Sequence, residues 1–406
     1  MHFLIFNCGS SSLTSKVFQV GQSDEIREVL SAKAHRVGVT GSTPGYIEYR
    51  FGGKRERDSR PPESHRQAAA RIAGFIKKHG IDIDYLGHRF VHGGSYFRDT
   101  IWVDRYSSKK LRKCLSLAPI HNPLGLSVIK ESERSLPGIP QYVTFDNAFH
   151  ADMPPRAYTY ALPRNIIQKF GFRRFGFHGL SYLYTTQKVS RCLRVPPEKL
   201  NIIACHLGTG GASVAAIKQG RSVDTSMGYS PLSGLIMSTR CGDIDPMVTI
   251  YLMAVYGYDL DQLEEILNKQ SGLLGISGYS SDIRDVIDNL NGSVRDQAQL
   301  AFKMYIHRIK KYVGSYAIVL GGMDVLAFTD DIGVRNPAVR EKICQGMEWL
   351  GVKLDRKFNT RVDPNDVSLI SAKNSRVKIL TVPPEEELVI CWEGLKLLGD
   401  RNNASL

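Results

Sequence analysis

Two hydrophobic rhythms run through the chain. Short continuous apolar runs at Phe3-Leu-Ile-Phe and Ile202-Ile-Ala-Cys each reach a glycine, Gly9 or Gly208, pass small or hydroxylated residues, and resume as β-rich sequence. The second run continues through Lys218-Gln219-Gly220 into a third strand, so residues 201–225 read as strand, glycine turn, strand, tight turn, strand. The echo predicts an internally duplicated architecture in which each half presents a phosphate loop to a shared cleft; the alternative is coincidence between two ordinary hairpins. Between these runs the period lengthens. Ser64 caps a predicted helix that runs to about Lys78 and ends at Gly80, Asp245-Pro246 starts another, and residues 280–285 begin a third. Ala298, Phe302, Tyr305, Ile309, Val313, Tyr316 and Leu320 recur at three- and four-residue steps, giving a long helix with Lys303, Arg308 and Lys310 outside its apolar stripe. Val325 to Phe328 reads as a buried strand, Thr329 to Asn336 as its loop, Val377 to Val382 as another strand, and Pro383 leads into a last helix. Residues 40–65 read as a surface loop with one short strand, Tyr46-Ile-Glu-Tyr. Strands alternating with helices define an α/β class.

Composition narrows the function classes. A chain of 406 residues predicts two domains, each able to bury a core, and 42% hydrophobic with 23% charged residues is ordinary for a soluble protein. With no long apolar run and no signal-peptide pattern, a cytoplasmic protein without a membrane role is expected. Seven scattered cysteines, never spaced as CxxC, point to neither a disulfide framework nor a zinc site. The net charge of +13 is spread over small clusters at residues 54–57, 109–113 and 308–311, which suits solvated faces and small anionic substrates better than nucleic acid.

Candidate chemistry gathers where strands meet glycine or proline. Gly208, Gly210 and Gly211 let backbone N–H groups approach a phosphate. Arg89, flanked by His88 and His92 and followed by Gly93-Gly94, reads as an anion site, with packed histidines as the alternative. His121, Asp146, His150 and His178 each stand near a bend that can aim a side chain into a cleft.

Taken in order, Asn7-Cys-Gly-Ser-Ser-Ser-Leu, Gly87-His-Arg-Phe-Val-His-Gly-Gly, Ala118-Pro-Ile-His-Asn-Pro, Phe145-Asp-Asn-Ala-Phe-His, Gly176-Phe-His-Gly, His206-Leu-Gly, Val223-Asp-Thr-Ser-Met-Gly, Thr239-Arg-Cys-Gly-Asp-Ile-Asp-Pro and Glu386-Glu-Leu-Val-Ile resemble the motifs of the acetate kinase family nearly end to end. The resemblance implies a two-domain, internally duplicated actin-like (ribonuclease-H-like) kinase fold with a cleft between the domains. The first domain would be residues 1–150 plus 384–406 and the second, donor-binding one residues 151–383. It implies a homodimer, Mg²⁺, and reversible phosphoryl transfer between a donor and acetate, forming acetyl phosphate. Acetate is already ionised at neutral pH, so the chemistry needs positive charge at the in-line transition state rather than a base. By resemblance, Arg89 and Arg240 would clamp carboxylate and phosphoryl, His178 would donate to transition-state oxygens, and Asp146 would hold an arginine or a metal-bound water. Asn7 and Glu386 would be the metal-site residues, oxygen ligands of the kind Mg²⁺ prefers. Val91, Ile120, Phe177 and Pro231 would surround the acetate methyl, with His121 beside the substrate; a propionate or other short-chain carboxylate kinase is the neighbouring possibility.

The donor side departs from the family. Ser10, Ser12, Thr14, His206, Leu207, Gly208, Thr209, Gly210, Asp282, Ile283, Arg284, Asp330, Asp331, Ile332 and Gly333 occupy the positions that would face the donor. Among them Thr14 replaces the usual lysine, for which Lys16 is a candidate substitute, Thr209 replaces the usual asparagine, and Asp330-Asp331 replaces two glycines of the adenosine loop. Two aspartates add bulk and negative charge where a nucleotide would lie on bare backbone. The combination looks like the pyrophosphate-linked branch, which uses inorganic pyrophosphate and phosphate in place of ATP and ADP; both donors stay open, and the loop favours pyrophosphate. A non-catalytic binding protein on the actin-like fold is the rival from another class.

Overall fold

Apolar runs covered on both faces build the two sheets of the protein, which a computed structural model describes for residues 1–21, 25–39 and 43–403. In the first sheet, β1 (His2–Cys8) pairs antiparallel with β2 (Ser12–Val20), which continues into β3 (Ile26–His35), β4 (Tyr46–Phe51) and β5 (Lys54–Asp58). On its other side β1 runs parallel to β6 (Tyr85–Phe90); β8 (Gln141–Phe145) then carries the short antiparallel edge β7 (Ile101–Trp102), giving the order β5-β4-β3-β2-β1-β6-β8-β7. The second sheet repeats this plan. β9 (Asn201–Leu207), β10 (Ala212–Lys218) and β11 (Arg221–Thr225) form the meander, β12 (Val325–Thr329) and β14 (Lys378–Val382) extend it in parallel, and β13 (Ser368–Leu369) caps the edge.

The duplication extends to the turns. Cys8 faces Leu13 and the Gly9 N–H donates to the Ser12 carbonyl at 2.9 Å; Leu207 faces Ala212 and the Gly208 N–H donates to the Gly211 carbonyl at 3.0 Å. Phe3 to Ile5 and Ile202 to Cys205 are 0% exposed, which is why neither run alternates with polar residues. Each sheet belongs to its own unit, one comprising Met1–Ala148 with the C-terminal segment from Glu385, the other Phe149–Pro384.

Helices form where the spacing places them. Ser64 accepts from the Gln67 N–H to cap His65–Lys78, and Asp245 accepts from the Met247 N–H to cap Pro246–Ala254. The long helix Arg295–Leu320 buries the apolar stripe from Ala298 to Leu320.

Three readings change. Residues 46–58 form a hairpin rather than one strand in a loop, because Lys54–Asp58 is a charged, exposed edge with no apolar alternation to announce it; residues 40–42 lie outside the described part. The stretch after β12 is a short helix, Asp330–Arg335, rather than a loop. His88 and His92 do not share an anion site with Arg89. On β6 alternate residues face opposite ways, so His88 stacks on Phe6 and meets Gln141 Oε1 at 2.8 Å in the core, where burial holds its pKa down at about 4 despite that bond. His92 is fully buried and its Nδ1 accepts from the Gly94 N–H at 3.0 Å.

Candidate active site

In the first unit, the carboxyl ends of β1, β6 and β8 meet the first turn of the C-terminal helix Glu386–Asn403. Arg89, near the end of β6, donates through Nε to Asp146 Oδ1 at 2.8 Å and through Nη2 to Oδ2 at 2.5 Å, a two-pronged pair that fixes the plane of the guanidinium. Its Nη1 donates to Asn7 Oδ1 at 2.8 Å and lies 3.5 Å from Glu386 Oε2. The Asn7 amide then donates to Glu386 Oε2 at 3.0 Å and to Glu387 Oε1 at 2.8 Å. Burial alone would lower the Arg89 pKa, but Asp146 and Glu386 together raise it, so the guanidinium is a fixed cation. Burial raises the Glu387 pKa, with Glu386 adding to it and Lys16 opposing.

Thr14 stands directly across from Asn7 on β2. Lys16 lies two residues on and is tied to Glu385 at 2.7 Å and Glu28 at 2.9 Å. Its ammonium therefore anchors the residue before the C-terminal helix and is already paired with two carboxylates. Among the described residues no three His, Cys, Asp or Glu side chains cluster as a metal cage. A divalent cation that keeps most of its waters needs only one or two protein oxygens, and the Asn7 amide oxygen and Glu386 carboxylate are of that kind. Ser10 is exposed at the turn and Ser12 half-buried, while Val91 is buried, Ile120 is 49% exposed and His121 begins the helix Asn122–Ser135.

In the second unit the Gly208–Gly211 turn gathers His178, His206, Arg240, Asp330 and Asp331. A methyl group placed on Gly211 would lie 3.5 Å from His178 Nε2 and 3.6 Å from Arg240 Nη1, so both side chains reach over this turn. His178 has φ of 60° at the start of the helix Gly179–Leu193, and its Nδ1 pairs with Ser213 Oγ at 2.8 Å. Ser213 in turn makes a short bond with the Tyr182 hydroxyl. The His178 ring stacks on His206 with centroids 3.9 Å apart. His206 Nδ1 pairs with Ser181 Oγ at 2.9 Å and its Nε2 with Asp330 Oδ2 at 3.0 Å.

Arg240 differs from Arg89. Among the described residues its Nη1 meets the Pro231 carbonyl at 3.4 Å and the Met237 sulfur at 3.7 Å, and burial lowers its pKa. No carboxylate among the described residues is paired with it. Pro231 is half-buried at that contact, and Phe177 is buried with its carbonyl accepting from His150 Nε2 at 3.0 Å.

Asp330 and Asp331 fold back onto the same turn. Asp330 adopts φ of 66°, a conformation that favours glycine, and its Oδ2 lies 2.2 Å from where a Gly208 methyl would stand. Asp331 Oδ1 accepts from the Thr209 N–H at 3.0 Å and the Ile332 N–H at 2.8 Å; burial and then Asp330 raise its pKa. Leu207 and Ile332 are buried beneath the turn, Gly210 is exposed, and Gly333 packs its helix against Phe328. Asp282 caps the helix Ile283–Asp288 and chelates Arg284 at 2.5 Å, while Ile283 is buried.

A sequence model described as the Acetokinase family matches residues 2–392. The chain belongs to the acetokinase family. It is 42% identical to an acetate kinase of Dictyoglomus turgidum, covering 99% of this chain and 98% of that one, and 43% identical to an acetate kinase of Caldicellulosiruptor bescii, covering 98% and 100%. Among solved structures, the acetate kinase of Entamoeba histolytica superposes with a TM-score of 0.88 at 41% identity over 98% of this chain and 99% of that one. A propionate kinase of Francisella tularensis gives 0.87 at 32% identity over 97% and 98%. The two-domain actin-like fold read from the motifs is thus the fold of this acetokinase.

Sequence motifs did not reveal the partners that hold these side chains. Glu387, Ser181, Ser213 and Tyr182 sit inside ordinary strands and helix starts. Only their alternation with named residues, Ser181 and Tyr182 three and four after His178, could have pointed to them.

Proposed function

We propose that this protein is an acetate kinase that transfers a phosphoryl group reversibly between inorganic pyrophosphate and acetate. In the forward direction an acetate oxygen attacks one phosphorus of pyrophosphate, the bridging P–O bond breaks, and phosphate leaves with the electron pair; acetyl phosphate and phosphate are the products. The observation that carries the donor is Asp330. Its carboxylate stands over Gly208 and pairs with His206, adding bulk and negative charge at the loop where the resemblance puts a nucleoside against bare backbone.

The residues take roles suited to their surroundings. Arg89, oriented by Asp146 and Asn7, holds a carboxylate oxygen by a fixed fork. Arg240, with no carboxylate partner among the described residues, compensates charge on the migrating phosphoryl group, and His178, oriented by Ser213, donates a hydrogen bond from Nε2. Asp146 stays an orienting anion rather than a base. Asn7 and Glu386 would hold Mg²⁺, which when bound neutralises phosphate charge. Val91, Ile120, Phe177 and Pro231 are assigned to the acyl group, where one methylene is worth about 1–3 kcal/mol and separates acetate from propionate only modestly.

Incubating the purified protein with acetyl phosphate and either phosphate or ADP tests the donor. Turnover with phosphate is expected to exceed that with ADP at least ~10-fold in kcat/KM, a difference of about 1.4 kcal/mol in transition-state binding. Robust turnover with ADP alone overturns the pyrophosphate assignment and leaves the acetate kinase assignment standing.

The protein is also proposed to be a homodimer that pairs through the helix Pro246–Ala254. Met247, Val248, Ile250, Tyr251, Val255 and Tyr256 are each more than two-fifths exposed, and residues 246–258 contain no charged side chain. Two copies carrying +13 each can meet there without opposing like charges. Sedimentation is expected to give a dimer for the native chain and a monomer for Val255→Asp; a monomeric native chain refutes the pairing.

A further inference from the structure

A basin lies along the long helix Arg295–Leu320. At about 100° per residue, Gln299, Lys303, Ile306 and Lys310 fall within one arc of about 60°, centred roughly 130° around the helix from Tyr305. Tyr305 is the residue of this helix whose hydroxyl feels Asp331 and Asp330, so the donor turn and this arc occupy different faces. The arc lines a basin of about 800 Å³ whose lining also includes Leu290 and Asn291, before the helix, and Lys342 and Gln345, after it. Neither the Gly208–Gly211 turn nor the Asp330–Asp331 pair lines it.

Its charged lining is of one sign. Lys303, Lys310, Lys311 and Lys342 face it beside His307, and no Asp or Glu does. Two of these lysines have local work. Lys310 donates to the Gln345 carbonyl and Lys342 to the Gln345 side chain at 3.2 Å, closing the end of the helix Pro337–Cys344. Among the described residues Lys303 reaches the Gln299 side-chain oxygen, at 3.5 Å, and both Lys303 and Lys311 are exposed. Clustered cations without carboxylates repel one another, and a polyanion relieves that repulsion. The floor is different in kind. Phe302 and Ile306 are 7% and 8% exposed, and Leu290 is half-buried beside them. An apolar floor, three amide side chains at Asn291, Gln299 and Gln345, and a cationic rim within a volume of the size small ligands use suit a flat heterocycle joined to several phosphates.

We propose that this basin is a binding site for a nucleoside polyphosphate, separate from the phosphoryl-transfer site. The ring lies on Phe302 and Ile306, the amides meet its polar edges, and Lys303, Lys311 and His307 take the phosphates. The proposal does not depend on the donor being pyrophosphate, and its test keeps the two questions apart.

Calorimetric titration with ATP is the test, with tripolyphosphate as the probe of charge without a nucleoside. The native protein is expected to bind ATP in this basin, and Arg240→Ala is expected to retain that binding. The double variant K303E/K311E is expected to weaken it at least 10-fold while acetyl phosphate turnover without ATP stays within twofold of native, which also shows that the variant is folded. Tripolyphosphate is expected to bind at least 10-fold more weakly than ATP. No ATP binding, or binding that survives K303E/K311E, overturns the proposal. ATP binding lost with Arg240→Ala but kept in K303E/K311E assigns the nucleotide to the transfer site instead. Equal affinity for tripolyphosphate and ATP reduces the basin to a patch of charge and equally rejects a nucleoside site.

Discussion

Arg240→Ala is expected to lower kcat for acetyl phosphate turnover by roughly two to three orders of magnitude, the usual loss when one donor to transition-state charge is removed. The reason for choosing this arginine over Arg89 is the balance of charge around each. Arg89 is tied to Asp146 by two hydrogen bonds and lies 3.5 Å from Glu386, so part of its field is already neutralised before substrate arrives. Among the described residues Arg240 meets a carbonyl oxygen and a thioether and no carboxylate, and burial works against its charge. A cation that is costly to keep without an anion gains most when one forms beside it. The side chain makes long contacts, at 3.4 and 3.7 Å, so its removal should leave the melting temperature nearly unchanged while catalysis falls. Arg240→Lys restores charge but not the planar fork and should recover only part of the loss. Stopped or steady-state assays with saturating acetyl phosphate check this. Unchanged turnover in Arg240→Ala would remove Arg240 from the machinery and return weight to a non-catalytic binding protein.

The doubled plan of the fold was legible because it is written in strongly apolar runs. Phe3 to Phe6 and Ile202 to Cys205 are buried on both faces, and the glycines that end them close with the same backbone bond, so periodicity and turn chemistry agreed. The hairpin strand Lys54–Asp58 was illegible for the opposite reason. An exposed edge strand held by backbone pairing carries no apolar alternation, and its Lys-Arg-Glu-Arg run resembles a loop. The short helix Asp330–Arg335 was missed because Asp330 enters it at positive φ, where sequence rules place glycine and a turn. For the site, residue types and bends led to Arg89, Asp146 and His178, and the family resemblance added Asn7 and Arg240, but neither told how charge is shared among them. That Lys16 is paired with Glu28 and Glu385 depends on a contact to a residue 369 positions away, which no local pattern encodes. Similarly, two histidines beside Arg89 suggested shared chemistry until the strand's alternation placed His88 on the core side.

Asp330→Gly is expected to raise the ratio of ADP-linked to phosphate-linked turnover by about 10- to 100-fold, equivalent to roughly 1.4–2.8 kcal/mol of differential transition-state binding. Two effects act in the same direction. Glycine removes the carboxylate that stands over Gly208, opening backbone to a nucleoside, and it leaves His206 Nε2 without its 3.0 Å partner, loosening the ring stacked on His178. The first should raise ADP turnover and the second should lower turnover with phosphate. Backbone strain does not oppose the change, because φ of 66° is natural for glycine, and relief of a left-handed conformation should offset about 1 kcal/mol of the lost pairing. Asp331 is left in place because it holds the Thr209 N–H and so preserves the turn. Asp330→Asn separates volume from charge: it keeps the size and tolerates positive φ, so it should leave ADP excluded if bulk is the barrier and admit it if repulsion is. A donor ratio unchanged in both variants would show that Asp330 does not select the donor. In that case discrimination would have to come from elsewhere in the second unit, with Thr209, which replaces the family asparagine on the same turn, the next residue to exchange.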